Sequence, residues 1–166
     1  MLDQENVLIS LNLADNRIGE VGSKVIGDVL EKNMTLQELS LRLNKLGDTG
    51  GASILESLME NFSLESLNLS SNYLGAKCGS LLCDVIRHSS SLVSIDVTCN
   101  DLISDGGSKI RKALEENSSL TALDLRENEG ISDEDELAIS KLLYTREVEI
   151  DRQRRTRFFA EKSADR

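Results

Sequence analysis

Apolar positions along the chain recur with a period of 28 residues. Leu8, Leu36, Leu64, Leu92 and Leu120 open five copies, and Leu11, Leu39, Leu67, Ile95 and Leu123 follow three residues later. Leu13, Leu41, Leu69, Val97 and Leu125 come two residues after those. Apolar residues two apart have the period of a strand with one face buried. Later in each copy the spacing changes to that of a helix: Ile26, Val29 and Leu30, then Ile54 and Leu58, then Leu82, Val85 and Ile86, then Ile110, Ala113 and Leu114. The pattern predicts strand, turn, helix and turn as one unit, with these residues as its core. Each copy also places an asparagine after its strand, Asn16, Asn44, Asn72, Asn100 and Asn128. The next apolar position is Ile18, Leu46, Leu74 and Leu102, delayed by one residue to Ile131 in the fifth copy.

The segments LISLNLADN, LQELSLRLN, LESLNLSSN, LVSIDVTCN and LTALDLREN all fit L-x-x-L-x-L-x-x-N, the consensus of leucine-rich repeats. With a 28-residue period and turns such as Asn16-Arg-Ile-Gly-Glu-Val-Gly and Asn44-Lys-Leu-Gly-Asp-Thr-Gly, the chain resembles the ribonuclease-inhibitor class over residues 7 to about 145. That resemblance implies an α/β solenoid: a short right-handed arc, about 20 Å long, with a parallel sheet lining its concave face and helices on its convex face. The five asparagines read as a structural ladder whose buried amides donate to and accept from backbone groups that would otherwise go unpaired. Gly19, Gly22, Gly47, Gly50, Gly75, Gly106 and Gly107 punctuate the strand-to-helix turns, where a residue without Cβ can take positive φ. None belongs to a phosphate-cradling spacing.

A terminal repeat exposes one side of its core unless something caps it. Only Met1 to Asn6 precede the first strand, so either the chain is a piece of a longer protein or something packs on Val7, Leu8 and Leu11. At the other end Ser132 followed by Asp133, Glu134, Asp135 and Glu136 predicts a helix start, with a serine N-cap and acids in the first turn. Ile139, Leu142 and Leu143 continue its apolar stripe, and no glycine or proline interrupts the chain beyond Tyr144. Composition divides the chain into a repeat domain, 1–145, and a charged segment, 146–166. The first carries 12 basic and 24 acidic residues, the second 7 basic and 5 acidic. Arg152, Arg154, Arg155 and Arg157 beside Phe158-Phe159 form the one basic, partly aromatic element. It reads either as a helix folding back on the acidic body or as a docking segment for an acidic partner surface, such as a microtubule wall or a neighbouring subunit.

Charge and composition narrow the chemistry. The 166 residues carry a net charge of −10, which disfavours nucleic acid and anionic membrane as partners, and 3% aromatics leave little for a stacking platform or aromatic ligand pocket. Cys78, Cys83 and Cys99 are an odd number, there is no signal-like start, and no apolar run approaches a membrane span; a reducing, cytoplasmic setting is expected. His88 is the only histidine, and Cys78, Cys83 and His88, five residues apart on a helix, point in different directions, so no metal site is expected. The acidic run 133–136 lacks the glycine and the bidentate glutamate of a calcium loop. Four N-x-[ST] sites, Asn33, Asn61, Asn68 and Asn117, read as structural: three share one repeat position where helices end, and Asn68 lies in a strand.

What remains is surface. The outward strand positions form three stripes: Ser10, Glu38, Ser66, Ser94, Ala122; Asn12, Ser40, Asn68, Asp96, Asp124; and Ala14, Arg42, Ser70, Thr98, Arg126. Glu38, Arg42, Asp96, Asp124 and Arg126 are the candidate partner contacts on this face, with Arg152, Arg154, Arg155, Arg157 and Phe158 on the tail. A small, polar, curved face fits a protein partner better than an apolar small molecule. The expected function is a non-enzymatic protein-interaction or scaffold module without cofactor. Leu123-Asp-Leu-Arg-Glu-Asn followed by a charged closing helix resembles leucine-rich-repeat subunits of the ciliary nexin-dynein regulatory complex, implying a cytoskeletal or axonemal location. Two alternatives come from similar repeat proteins: a GTPase activator like the Ran-activating leucine-rich repeat protein, whose acidic tail this basic one does not match, and a tropomodulin-like actin-end cap, a family with a short stack and a closing helix.

Overall fold

The computed structural model describes residues 7–102 and 106–164. Residues 1–6, 103–105 and 165–166 lie outside it, as do the side chains of residues 159–164, Phe159 among them. Five strands alternate with five helices: β1 (Ser10–Asn12), α1 (Gly19–Leu30), β2 (Glu38–Ser40), α2 (Gly47–Ser57), β3 (Ser66–Asn68), α3 (Ala76–His88), β4 (Ser94–Asp96), α4 (Gly106–Glu116), β5 (Ala122–Asp124) and α5 (Asp133–Ala164). The strands form one parallel sheet in the order β1-β2-β3-β4-β5. Ser10, Glu38, Ser66, Ser94 and Ala122 stand in register, as do Leu11, Leu39, Leu67, Ile95 and Leu123. The chain is thus an α/β leucine-rich solenoid. Between sheet and helices the repeated leucines form one continuous core: Leu39, Leu67 and Ile95 from the strands, Leu41, Leu69 and Val97 beyond them, and Ile54, Leu82, Ile86, Ile110 and Leu114 from the helices are all buried. Each such side chain contributes on the order of 1.5–3 kcal/mol of burial.

The ladder asparagines bond within and between repeats. Asn72 Nδ2 donates to Leu41 O at 2.8 Å in the preceding repeat and to Leu69 O at 3.0 Å in its own, while its Oδ1 accepts from Asn44 N at 2.8 Å. Asn100 repeats this set, and Asn44 repeats its two donor bonds while its Oδ1 accepts from Ile18 N at 3.4 Å. Asn16, at the open end, bonds only within its own repeat, to Leu13 O and Ala14 O. A second ladder runs on the opposite edge: Asn61 Nδ2 donates to Leu30 O and Asn33 O, and Asn117 Nδ2 to Ile86 O and Ser89 O. These are the helix-end N-x-[ST] positions, and their amides tie one repeat to the previous one.

Two expectations need correction. Val29 does not join the core; it is 61% exposed, whereas its counterparts Ser57 and Val85 are buried. That position faces the preceding repeat, and before α1 no described residue fills that place. Positive φ also falls mostly elsewhere than on the seven glycines: among the described glycines only Gly19 and Gly47 adopt it. The strand exits use Asp15, Leu43, Ser71, Cys99 and Glu127, each at φ between 54° and 58°, directly before the ladder asparagine. The interrepeat asparagine bonds hold that strained conformation. Gly50 and Gly75 instead serve close approach: a Cβ on Gly50 would stand 2.8 Å from Ser23 Oγ, and one on Gly75 3.0 Å from the Asp48 carboxylate.

The last helix begins as predicted. Ser132 Oγ accepts from Asp135 N at 3.2 Å and donates to the Asp135 carboxylate at 2.9 Å. The helix then runs through 145/146 without a break, 32 residues or about 48 Å. Ile139 and Leu143 are buried against the last repeat, but residues 151–158 are exposed throughout. The arginine-rich part therefore does not fold back on the body.

Candidate functional site

The β4–β5 end of the concave face carries most of its predicted charge. Asp96 and Asp124 are register partners on neighbouring strands, and Arg126 lies two residues beyond Asp124. Much of this charge is engaged internally. Arg126 Nε and Nη2 bind the Asp124 carboxylate at 2.9 and 2.5 Å, and those bonds hold the Asp124 carboxyl below its ordinary range and raise the guanidinium pKa. The Asp96 carboxylate accepts from Asn68 Nδ2 at 2.8 Å and from Thr98 Oγ1 and N at 2.9 and 3.0 Å. Asn12, Asn68, Asp96 and Asp124 all accept from the backbone N–H two residues on, so the middle stripe shapes the strand exits as well as the surface. Ser70, placed on the outer stripe by the alternation, is buried; its hydroxyl donates to Asn68 Oδ1.

Glu38 and Arg42 are exposed but sit on and just after β2, three strand spacings or about 14 Å from β5. Arg152, Arg154, Arg155, Arg157 and Phe158 lie on the projecting part of α5. The structure thus separates the candidate contacts into a β2 pair, a β4–β5 corner and a helical arm.

α5 adds residues that sequence reasoning missed. Glu136, Ser140, Tyr144 and Glu147 lie at spacings of three and four along one side of the helix, and with Asp96, Asp124 and Arg126 they line an open groove of about 540 Å³ where α5 meets the sheet. Their helix-period spacing was the available signal. Tyr144 is 69% exposed at its rim. On another side of α5, Arg146 reaches the end of α4: its guanidinium donates to Leu114 O at 2.6 Å, to Asn117 Oδ1 at 3.3 Å and to Leu120 O. Burial pulls its pKa down from the usual arginine value. The first residue of the basic segment is therefore an anchor on the repeat body.

A comparable bridge joins α2 to α3. Asp48 accepts from Gly75 N and Cys78 N at 2.9 Å and from Lys77 N at 3.1 Å, capping the next repeat's helix. Partial burial pushes the Asp48 carboxyl up, but these bonds outweigh it and hold it below the ordinary range. Cys78 is fully buried, and burial first, then the Asp48 carboxylate, push its thiol pKa up. Cys83 is also buried and Cys99 exposed. Among the described residues no cluster could hold a metal ion, and no helix is long and apolar enough to cross a membrane.

A family profile described as Leucine Rich repeat matches residues 6–27, 32–55, 60–83, 88–110 and 116–140, one match per structural unit. The chain belongs to the leucine-rich repeat family. No curated protein sequence matches it. Among solved structures, the repeat chain is similar to "Leiomodin-1 Actin-Binding Site 2 (ABS2)", with a TM-score of 0.75 and 21% identity over 93% of this chain and 88% of that one. It is also similar to the tropomodulin C-terminal domain of Caenorhabditis elegans, with a TM-score of 0.73 and 20% identity over 89% of each chain. At these identities the likeness is one of fold. Since α5 begins at Asp133, coverage of 93% takes in part of the closing helix as well as the repeats.

Proposed function

We propose that this leucine-rich repeat chain is a non-enzymatic protein-interaction module of the cytoskeleton and that its partner is actin. The observation that supports this most is the likeness, over 93% of this chain with part of the closing helix included, to a domain named as an actin-binding site. A chain with a polar concave face, a corner rich in internally held charge and a projecting helical arm offers recognition surfaces. The division into body and basic segment carries over in functional form: 1–145 presents the corner and 146–166 the arm, with Arg146 anchoring one to the other. The ribonuclease-inhibitor-like subclass is kept with this reading, on the 28-residue period.

The experiment is co-sedimentation with actin filaments and elongation from capped and free filament ends. Wild type is compared with Arg154→Glu/Arg157→Glu on the arm and Asp96→Ser/Tyr144→Ala at the corner. Saturable binding, or slowed elongation at one end, weakened by either double variant, is the expected result. No binding to filaments or monomers at high micromolar concentration would end the actin reading. A second reading, an axonemal scaffold of the nexin-dynein regulatory type, draws on one observation: the exposed arginines of α5 suit an acidic filament wall. Co-sedimentation with microtubules, abolished by the arm variant alone, would favour it. GTPase activation stands third, without an observation in the fold to favour it, and stimulated GTP hydrolysis would be its mark.

A further inference from the structure

Among the described residues, apolar side chains gather on the exposed side of the first repeat. Val21, Val25 and Val29 follow one another at four-residue spacing along α1 and are 83%, 59% and 61% exposed, and Leu8 is 54% exposed beside them. Leu8, Leu11, Val25, Ile26 and Val29 line an apolar groove there, to which no charged side chain contributes among the described residues. The equivalent row of α2 is Thr49, Ser53 and Ser57, so the open end carries larger apolar side chains than the interior helix that has a neighbour. The strand edge is open too. Ser40 O, one repeat on from Asn12 O, accepts from Leu13 N, and Asn44 Oδ1 accepts from Ile18 N; no described residue serves Asn12 O or Asn16 Oδ1 in the same way. The opposite end is closed by α5, so copies of this chain cannot stack head to tail.

We propose that this face pairs with the same face of a second copy, in a twofold dimer. A dyad running from the concave to the convex side brings β1 antiparallel to its counterpart and α1 antiparallel to its counterpart in one operation. The β1 pair uses the backbone groups of Ser10 and Asn12 on the edge that no described residue pairs and extends the sheet across the dyad, and the valine rows of the two helices pack together. Charge favours a second copy. A chain of net charge −10 repels itself, and this neutral face is where that repulsion has least to act on. Lys24 and Asp28, both exposed, lie one turn apart on the convex flank of the valine row. Reversal of the helix about the dyad sets Lys24 of one copy opposite Asp28 of the other, and Asp28 opposite Lys24, so the flank is complementary to itself.

The test is sedimentation equilibrium on the full chain from low to high micromolar concentration, without actin, so that it is independent of the proposed function. The expected mass at high concentration is twice 18.3 kDa. Val25→Arg should give a monomer with an unchanged circular dichroism spectrum, since the side chain is exposed. Lys24→Glu and Asp28→Lys should each weaken the dimer about tenfold, because the dyad turns two attractive pairs into two repulsive ones. The double exchange Lys24→Glu/Asp28→Lys should recover wild-type association to within about threefold, an outcome that pairs within one helix would not produce. A wild-type chain monomeric at every concentration overturns the proposal, including the case in which deletion of residues 1–6 uncovers the face and lets it associate. So does a dimer indifferent to Val25→Arg, and one in which the double exchange fails to recover what the single reversals lose.

Discussion

Replacing Asn72 by leucine tests whether the ladder, and not only the leucine core, holds the repeats in register. Asn72 is fully buried, and leucine has a similar volume and branch point, so the change deletes polar contacts with little change in packing. The losses are unequal. Leu41 O keeps the Asn44 amide at 3.0 Å, Leu69 O keeps the Asn100 amide at 3.1 Å, and Ser70 O keeps Leu43 N at 3.1 Å. Asn44 N loses its acceptor, Asn72 Oδ1, and has no other. One orphaned buried N–H costs about 1–3 kcal/mol, and three carbonyls reduced to a single bond each add about 0.5–1 kcal/mol apiece, for a total of about 2.5–6 kcal/mol. For a chain of this size that lowers the thermal midpoint by about 10 °C. Asn16→Leu is the control: Asn16 is exposed and bonded only within its own turn, so the same substitution should cost about 1 kcal/mol or less. Urea unfolding and calorimetry of both variants decide it. Equal midpoints for Asn72→Leu and Asn16→Leu, or an unchanged midpoint for Asn72→Leu, would refute the interrepeat accounting.

Asp48→Ala removes the acceptor for three N–H groups of α3 and should cost about 1–2 kcal/mol at neutral pH. Because the folded pKa is depressed, that contribution is complete above the unfolded value, near 3.8, and is lost as pH falls through the lower folded value; the gap between wild type and variant in urea titrations should close over that acid window. Gly27→Ala would ordinarily favour a helix, but its Cβ would stand 2.7 Å from Ser53 O on the backbone of α2, so it should destabilise by about 1–3 kcal/mol in chemical denaturation. Arg146→Ala should speed amide exchange along α5 and lower stability by about 2–3 kcal/mol, and lysine should recover only part, since one ammonium cannot span three acceptors. Under native conditions iodoacetamide should label Cys99 alone; rapid labelling of Cys78 would contradict its burial.

The fold was legible because each repeat testifies for the others. Leu39 alone is an apolar residue, but Leu11, Leu39, Leu67, Ile95 and Leu123 at equal intervals define a strand position, and the observed register matches that alignment residue by residue. Errors arose where position in the array changes the environment. Val29 matches Val85 in pattern and differs only in having no described neighbour on one side. The glycines have the backbone freedom for positive φ, whereas the ladder places that conformation on the residue before each asparagine, whatever it is. Self-comparison also discards what does not recur. Asp48 has Glu20 and Ala76 as its counterparts, so its helix cap left no periodic trace, and Arg146 lies beyond the last repeat. The groove residues of α5 escaped because their partners are on β4 and β5, distant in sequence.

The exposed arginines of α5 gain meaning from the part of the helix that precedes them. Residues 151–158 are polar on nearly every side and exposed, and an isolated helix of that length in water is marginal because its first turn costs more than it returns. Here that first turn is already made. Ser132 caps the start, Ile139 and Leu143 bury a stripe, and Arg146 clamps the helix to three acceptors at the end of α4 and the turn beyond. Beyond Arg146 the helix needs only to propagate, at one hydrogen bond per residue fixed. The repeat body therefore does more than bear the arm: by supplying the nucleus it holds Arg152, Arg154, Arg155 and Arg157 on a rod in fixed order, and a partner meets them without bearing the whole entropy of ordering a free tail.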